Sequence, residues 1–265
     1  MFRTGLALGL SLACTLAAQT TLKYTGAPLG IAAECGQDDL VALRLTCPAD
    51  HPCPVYLDLT GIDSAGSRVF IAGNLHTDDA TLSSILLASQ DGGVTWSEPH
   101  RRIRGAGLDL VQFLDFATGW ASGESLGEFP RDPFLLLTRD GGKSWRSCPV
   151  FEESRAGAID SFYFDSAKHG RLWIGRPLSG QPGNRYEAYE SEDGGETWAL
   201  RQAGDQPLPP SPHPAPSGLY RLEADRATGS YRVEHRAEAG WEAVAAFLVR
   251  AGECREPEAA APPQP

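Results

Sequence analysis

An eight-residue phrase, Ser/Thr-x-Asp-Gly-Gly-x-Thr/Ser-Trp, occurs three times in this chain, at residues 89–96, 138–145 and 191–198. An Asp side chain can accept hydrogen bonds from backbone N–H groups further along the turn, and the glycines that follow it can adopt positive φ without a Cβ clash. Each phrase, which we call a box, therefore predicts a tight β-hairpin turn that ends in a core tryptophan. The structural residues of boxes 1, 2 and 3 are Asp91, Gly93 and Trp96; Asp140, Gly142 and Trp145; and Asp193, Gly195 and Trp198.

The three boxes belong to a longer repeat. Their aspartates are about 50 residues apart, which is in the range of propeller blades and similar sheet arrays. A glycine (Gly73, Gly123 or Gly175) stands 17 or 18 residues before each boxed Asp and closes an apolar run. Each unit thus has room for four short strands joined by tight turns. The sequence predicts an all-β fold, a small β-propeller over residues 24–254.

A shorter fourth unit follows, because residues 225–229 echo residues 115–119 almost residue for residue. It lacks a full box and has room for three strands, which we expect at about 218–224, 230–236 and 241–249. Residues 39–46 partly alternate between apolar and polar side chains, so we expect this N-terminal strand to complete the last blade. Such closure removes unpaired sheet edges. This count predicts four blades, with five as the alternative if residues 24–60 hold more structure.

The two ends of the chain have different compositions from the repeat. Residues 1–18 have one early arginine, a short apolar run and a small-residue end, which is typical of a signal peptide. The run is too short to span a membrane, so we expect no transmembrane segment in the mature chain and a periplasmic or secreted location. Lipid attachment at Cys14 is disfavoured, because Ser11 stands where leucine is usual. The proline-rich residues 206–216 predict an extended linker, and residues 255–265 predict a disordered tail.

Five cysteines remain once the leader is removed, and an oxidising compartment favours pairs among them. Cys47 and Cys53 lie close in sequence, and ring closure would bring Cys35 near Cys254, so we expect these two disulfides. The Cys47–Cys53 spacing is not that of a zinc site, and we expect no metal and no cofactor. A net charge of −11 argues against nucleic acid as a partner. We expect a monomer.

The boxes resemble the Asp-box, or bacterial neuraminidase repeat, of sialidases and related β-propellers. Residues 113–145, which include Leu114-Asp115, Gly119-Trp120-Ala121 and box 2, are most similar to the repeat of the photosystem II stability/assembly factor family. The resemblance covers about residues 55–200. It implies a propeller and a binding or assembly role, since the box itself is structural in these families.

The sialidases also imply an alternative, a glycoside hydrolase. Their arginine cluster and Tyr/Glu nucleophile pair are not recognisable here: Tyr186-Glu187 and Tyr189-Glu190 are candidates by composition, but alternating strand residues explain them better.

The loop of residues 123–133 is the richest in charge. We interpret it as an exposed hairpin and as the candidate binding site, with no catalytic residue assigned. Its candidate residues are Glu124, Glu128, Arg131 and Asp132. We expect an exported, non-catalytic scaffold that binds a protein or a glycan, with a glycoside hydrolase and a structural surface protein as the alternatives.

Overall fold

The computed structural model describes residues 21–33, 35–178, 183–207 and 218–256. The predicted leader, most of the proline-rich segment and residues 257–265 of the predicted tail lie outside the described residues. The predicted all-β fold is confirmed: 57% of the described residues lie in strands, arranged as several antiparallel sheets.

The described residues form four main sheets, three of them built from consecutive strands of one sequence unit, whereas sheet 1 takes its fourth strand from the C-terminal end of the chain. Sheet 1 has the order β17-β2-β3-β4, with β2 (Cys53–Ala65), β3 (Arg68–His76), β4 (Thr81–Ser89) and β17 (Arg250–Cys254). Sheet 2 consists of β6 (Ala106–Phe113), β7 (Gly119–Leu126), β8 (Pro130–Thr138) and β9 (Arg146–Pro149). Sheet 3 consists of β10 (Ala158–Phe164), β11 (Gly170–Pro177), β12 (Asn184–Ser191) and β13 (Ala199–Gly204). Sheet 4 has three strands: β14 (Tyr220–Asp225), β15 (Ser230–Ala237) and β16 (Gly240–Leu248).

Two short elements complete the described structure. β1 (Leu22–Lys23) pairs with β5 (Thr95–Trp96), the strand that leaves box 1. A single helix, α1 (Gln37–Leu43), precedes sheet 1. The three strands of sheet 4 lie within two residues of their predicted positions, because the 225–229 echo sets the register of that unit.

The predicted closing strand at residues 39–46 is wrong, because helix α1 occupies most of that segment. Asp39 favours the helix start, since its side chain accepts the backbone N–H of Gly36 at 2.9 Å. Leu40 fills the core from the helix. A strand-like alternation over a few residues also suits one face of a short helix. The N-terminal chain meets sheet 4 earlier, where Leu29 forms a parallel bridge with Phe247.

Three apolar clusters join the sheets in the order 4-1-2-3. Sheet 4 and the N-terminal segment pack on sheet 1, where Trp96 meets Phe247 edge to face at 5.1 Å between ring centroids. A second cluster joins sheets 1 and 2. A third joins sheets 2 and 3, where Trp120 stacks on Phe164 with centroids 3.8 Å apart. The first strands of the sheets, β14, β2, β6 and β10, therefore lie next to one another.

All three boxes form the same turn through the Asp carboxylate and the Ser/Thr hydroxyl. The Trp indole adds a hydrogen bond in boxes 1 and 2 but not in box 3, where Trp198 Nε1 has no partner in the described structure. In box 2 the Thr138 hydroxyl donates to Asp140 at 2.9 Å and accepts the backbone N–H of Gly142 at 2.9 Å. The Asp140 carboxylate also accepts the backbone N–H and the hydroxyl of Ser144, at 3.0 and 2.6 Å. The indole of Trp145 donates to the Gly142 carbonyl at 3.1 Å. The aspartate thus accepts hydrogen bonds from N–H and O–H groups of the turn that have few other acceptors.

The second glycine of each box lies against other packed side chains. A Cβ on Gly142, whose φ is +80°, would lie 2.2 Å from the ring of Phe70 in sheet 1. A Cβ on Gly93 would lie 2.9 Å from Val244 in sheet 4. At box 3, the Trp120 indole of sheet 2 donates to the carbonyl of Gly194 at 2.9 Å. The boxes therefore sit at the seams between sheets, which sequence spacing alone does not show.

The antiparallel strands place two kinds of connection at opposite ends of the sheets. The end that carries the boxes, together with the turns between first and second strands, we call the box face. The other end, which we call the loop face, carries the hairpins between second and third strands, at residues 77–80 and 127–129. It also carries the connections between sheets, at residues 97–105 and 150–157. The loop face has no repeated sequence to hold its shape.

Both predicted disulfides are confirmed. Cys35–Cys254 ties the N-terminal segment to β17, and Cys47–Cys53 closes a short loop before β2. Cys148 is a buried free thiol. Among the described residues there is no helix with the length and apolar character required to cross a membrane.

Removing the Cys35–Cys254 disulfide should destabilise the protein more than removing Cys47–Cys53. The two bonds join residues 219 and 6 apart in sequence. The loop-entropy relation gives about 5 kcal/mol for the first and about 2 kcal/mol for the second. Thermal unfolding of the two Cys→Ser double variants measures the difference. An equal or smaller loss for the Cys35→Ser/Cys254→Ser variant would contradict this ranking.

Asp140→Ala should lower the free energy of unfolding by about 1–3 kcal/mol, because several turn donors lose their acceptor. The hydrogen bond from the Ser144 hydroxyl is the main cause that lowers the pKa of Asp140 to about 2. The stabilisation from this carboxylate is therefore present above pH 3.8 and is lost as the pH falls towards 2.

Denaturant unfolding of Asp140→Ala at pH 7 and near pH 2.5 measures both effects, with Asp140→Asn as the variant that keeps one acceptor. A variant as stable as the parent protein at pH 7 would rule out the structural role of the box.

Candidate functional site

The four residues of the candidate loop do not form one cluster. Glu124 lies on β7 and is buried, with 5% of its surface exposed. Glu128 is exposed in the hairpin between β7 and β8. Arg131 and Asp132 lie at the start of β8, with partly exposed side chains. The loop face therefore holds three of the predicted residues, and the fourth belongs to the interior.

Glu128 lines a cleft on the described surface. This cleft has a volume of about 740 Å³ and lies between the end of helix α1 and the hairpins of sheets 1 and 2. Its polar lining includes Arg44, His76 and Asp79. The volume falls within the range of sites that bind small molecules or short segments of larger ones.

Asp132 positions the neighbouring loop of residues 150–157. Its carboxylate accepts the backbone N–H of Arg155 at 2.8 Å and the hydroxyl of Ser154 at 3.1 Å. Arg131 donates to the same hydroxyl at 2.9 Å. Asp132 has a φ of +53°, an uncommon conformation for a residue other than glycine. These contacts stabilise Asp132 in its strained conformation. They also fix the backbone of Arg155, from which its side chain extends.

Three arginines converge on one buried carboxylate at this end of sheet 3. Glu187 has a 2% exposed side chain and forms ion pairs with Arg155, Arg176 and Arg185 at 3.2, 2.9 and 3.1 Å. The Tyr189 hydroxyl donates to it at 2.7 Å. Burial by itself would raise the pKa of Glu187, but the hydrogen bonds from Arg176 and Tyr189 and the charge of Arg155 lower it. We call Arg155, Arg176 and Arg185 the arginine cluster.

The arginine cluster was not predicted from the sequence. Its members lie on a connection, on β11 and on β12, so only the sheet brings them together. The pairing of Tyr189 with Glu187 follows from strand geometry, since residues two apart share a face. Sequence adjacency instead suggested Tyr186 with Glu187. A search for i, i+2 Tyr/Glu pairs on predicted strands would have found this contact.

A second group of carboxylates lies beside the first strands of sheets 1, 2 and 3. It consists of Asp58, Asp109, Glu124 and Asp160, which we call the carboxylate cluster. Burial raises the pKa of Glu124 to about 9, and repulsion from Asp109 and then Asp160 adds to the effect. Burial also raises the pKa of Asp109 and of Asp160. The Tyr231 hydroxyl of sheet 4 donates to Asp58 at 2.7 Å.

β-bulges explain why two of these side chains leave the regular sheet pattern. The pairing of β6 with β7 is interrupted after Leu108, and that of β10 with β11 after Ile159. Asp109 and Asp160 are the next residues. A bulge leaves its extra residue out of the ladder and redirects the side chain. The sequence contains a signal for the aspartates of this cluster, because Asp58, Asp109 and Asp160 recur at intervals of 51 residues.

The described residues contain one group with the proximity expected of metal ligands, on the box face: His169, Glu190 and Glu192. However, Arg171 and Arg201 each bind one oxygen of Glu190, at 2.9 and 2.8 Å. A cation would have to displace both guanidinium groups. We therefore interpret this group as an ion-pair network.

The carboxylate cluster should make the protein less stable as the pH rises. The pKa of Glu124 is about 9 in the folded chain against an ordinary 4.5, so the folded protein holds more protons between these values. Stability is then highest below pH 4.5 for this group and falls as the pH rises towards 9. Glu124→Gln should remove this part of the slope.

Denaturant unfolding between pH 5 and pH 9 tests the prediction, with the exposed Glu128→Gln in the next hairpin as the matched control. If Glu124→Gln and the parent protein lost stability in parallel over this interval, Glu124 would not be the group responsible.

The architecture of these sheets is that of a β-propeller, with its variable connections gathered on the loop face. Neither a scan of protein-family models nor a search of curated proteins gave a match. Among solved structures, the chain is similar to YCF48 bound to a D1 peptide, with 19% identity, a TM-score of 0.38, and coverage of 72% of this chain and 56% of that one. It is also similar to an ulvan lyase, a polysaccharide lyase, with 9% identity, a TM-score of 0.42 and coverage of 75% and 52%.

A third similar structure is the α-L-arabinanase of Penicillium chrysogenum complexed with arabinobiose, with 10% identity and a TM-score of 0.40. Coverage is 84% of this chain and 66% of that one. The chain thus spans between about half and two thirds of the length of these proteins. At such low identities, the comparisons concern the fold and not the activity.

Proposed function

We propose that this protein is an exported, non-catalytic β-propeller that binds an acidic segment of a protein or an acidic glycan at its loop face. The observation that carries the proposal is the arginine cluster, which gathers three guanidinium groups around a single carboxylate on a chain with a net charge of −11. The two disulfides support the exported part of the proposal, since such bonds persist in oxidising compartments.

The arginine cluster has donors to spare for a ligand. Within the described residues, Arg185 contacts Glu187 through Nε, and Arg176 through Nε and Nη2. Their remaining guanidinium N–H groups can meet a carboxylate or a sulfate, for which the planar guanidinium is well suited. The acidic charge of the rest of the chain does not prevent this, because ions screen it over about 8 Å at physiological salt.

The cleft on the same face extends the surface that a ligand could contact. Glu128 lines the cleft and Asp132 holds the loop of Arg155, and both belong to the β7–β8 hairpin region. The two residues are four apart in sequence, so their Cα atoms are at most about 14 Å apart. An extended partner, such as a peptide or an oligosaccharide, could therefore contact the arginine cluster and the cleft together.

A glycoside hydrolase remains the second candidate function, because the Asp109 and Glu124 carboxyls form a close acidic pair. Retaining glycosidases hold their two carboxyls about 5 Å apart and inverting enzymes hold theirs further apart. Asp109 and Glu124 share a hydrogen bond, which is a closer arrangement, and Glu124 is buried. The closeness of the two carboxyls and the burial of Glu124 favour a binding protein over a glycoside hydrolase.

Loss of two cluster arginines should weaken the capture of an acidic ligand. We expect Arg155→Ala/Arg185→Ala to reduce the affinity for uronate or sulfated oligosaccharides and for Asp/Glu-rich peptides by about tenfold or more. Arg171→Ala is the matched control, because this arginine lies on the same sheet but pairs with Glu190 towards the box face. Array binding followed by titration calorimetry measures both variants.

Equal loss in the Arg171→Ala control would mean that general charge, and not the loop face, holds the ligand. No binding by the parent protein to any acidic probe would favour a structural surface protein. Turnover on a glycoside panel that disappears in Glu124→Gln would establish the hydrolase in place of the scaffold.

A further inference from the structure

We propose that the arginine cluster binds a sulfate or phosphate monoester on a glycan, and that Glu187 is the positioning residue that orients the three guanidinium groups for it. The inference rests on the proposed function, because it names the chemical group that the loop face binds. Sulfate and phosphate monoesters share one chemistry: each is a tetrahedral anion with three terminal oxygens that accept hydrogen bonds.

The acid and the arginines of this cluster lie at different depths. The side chain of Glu187 is 2% exposed, whereas those of Arg155, Arg176 and Arg185 are 38%, 23% and 37% exposed. A ligand that arrives from solvent therefore meets guanidinium groups first, with the carboxylate behind them. Glu187 thus supports the arginines from the interior and leaves their outer N–H groups to the ligand.

Glu187 fixes the arginines through both of its carboxylate oxygens. Its Oε1 atom accepts hydrogen bonds from Nε of Arg185 at 3.1 Å and from Nε and Nη2 of Arg176 at 3.1 and 2.9 Å. Nη2 of Arg155 donates to Oε1 and Oε2 at 3.3 and 3.2 Å. The Tyr189 hydroxyl donates to Oε2 at 2.7 Å and so orients the carboxylate. The guanidinium groups are therefore oriented before any ligand binds, which lowers the entropic cost of binding.

The cluster has more positive charge than its own acid neutralises. Three arginines share one glutamate, and among the described residues no other acid forms an ion pair with them. Arg176 and Arg185 also lie directly opposite each other on β11 and β12. Like charges in such a cross-strand pair destabilise a sheet. The cluster thus keeps an excess of two positive charges at one place, which an anionic ligand would compensate.

The origin of the three guanidinium groups favours a tetrahedral anion over a carboxylate. A carboxylate has two oxygens in one plane, and the fork of a single arginine matches it. The arginines of this cluster come from three separate segments, which are the connection at residues 150–157, β11 and β12. A sulfate or phosphate monoester presents three oxygens in different directions, so each arginine can donate to an oxygen of its own.

The cleft on the same face favours a sugar as the carrier of the anion. More than half of the residues that line it have polar side chains, among them Arg44, His76, Asp79 and Glu128. Such side chains donate hydrogen bonds to hydroxyl groups and accept hydrogen bonds from them. Peptide-binding grooves instead rely largely on apolar or aromatic pockets. A glycan could therefore place its ester at the arginine cluster and its hydroxyl groups in the cleft.

A matched set of glucose derivatives tests the ligand group on the purified, disulfide-intact protein. Glucose 6-sulfate, glucose 6-phosphate, glucuronate and glucose carry a sulfate ester, a phosphate ester, a carboxylate and a hydroxyl group at the same carbon. Titration calorimetry at constant ionic strength should give dissociation constants about tenfold lower for the esters than for glucuronate, and no saturable binding of glucose. The ester that binds more tightly identifies the group.

Two Glu→Gln variants on β12 separate positioning from charge. Glu187→Gln and Glu190→Gln each raise the net charge by one, but Glu190 pairs with Arg171 and Arg201 towards the box face. We expect Glu187→Gln to weaken ester binding by about tenfold, because the guanidinium groups lose their fixed orientation. Glu190→Gln should bind the esters as the parent protein does. A purely electrostatic cluster would instead bind them more tightly in Glu187→Gln.

Tyr189→Phe is a milder variant that tests the same role if Glu187→Gln does not fold. It removes the hydrogen bond to Oε2 but retains the ring, which packs edge to face on Phe151 with centroids 5.6 Å apart. We expect ester binding to weaken by about threefold. Circular dichroism before each titration measures the folded fraction, so that a loss of binding is not confused with a loss of fold.

Four results would overturn the proposal. Equal affinity for glucuronate and the esters would reject the tetrahedral anion and leave the proposed function standing. Binding of a phosphoserine peptide but of neither sugar ester would reject the glycan. Ester binding that is unchanged in Arg155→Ala/Arg185→Ala, or that strengthens in Glu187→Gln, would reject the site or the positioning role. No saturable binding of any ester, uronate or acidic peptide would reject the proposed function as well.

Discussion

The hydrogen-bonded turn of the boxes is the constraint on which the rest of this structure depends. The aspartate accepts hydrogen bonds from the donors of the turn, and the second glycine after it leaves room for a side chain of a neighbouring sheet. At box 2 that neighbour is Phe70 of the adjacent sheet, which also stacks on Phe113 with ring centroids 4.0 Å apart. One local motif therefore closes a hairpin and sets the distance to the next sheet. Its repetition yields sheets of similar shape packed in a row.

The two ends of the molecule therefore differ in how their structure is determined. The box face is fixed by repeated turns, whereas the loop face carries connections that share no sequence with one another. Partners of propellers and similar scaffolds commonly bind where such variable loops gather. The arginine cluster and the 740 Å³ cleft both lie at that end. The carboxylate cluster lies apart from both features, beside the first strands of the sheets.

Two buried glutamates show how the surroundings decide the protonation of a carboxyl group. Glu187 is less exposed than Glu124, yet its pKa is lowered because three arginines and Tyr189 stabilise the charged form. Glu124 has acidic neighbours and no arginine, and its pKa is raised to about 9. Burial acts in the same direction on both groups. The difference arises from partners that are distant in sequence, which is why neither environment could be inferred from the chain alone.

The sequence by itself determined the all-β fold, the turns at the boxes and the three strands of sheet 4, because these follow from local turn chemistry and from a repeat that keeps register. It also predicted both disulfides, although the closing strand from which the Cys35–Cys254 pair was inferred is helix α1. It failed for residues 39–46, where helix α1 forms because Leu40 finds a place in the core. It also grouped Glu124 with Glu128, although one side chain points into the molecule and the other into solvent. Only the tertiary structure decided these points, since the direction of a side chain and the residues that it contacts depend on bulges and on neighbouring sheets. Local sequence fixes the turn, but contacts between units fix the site.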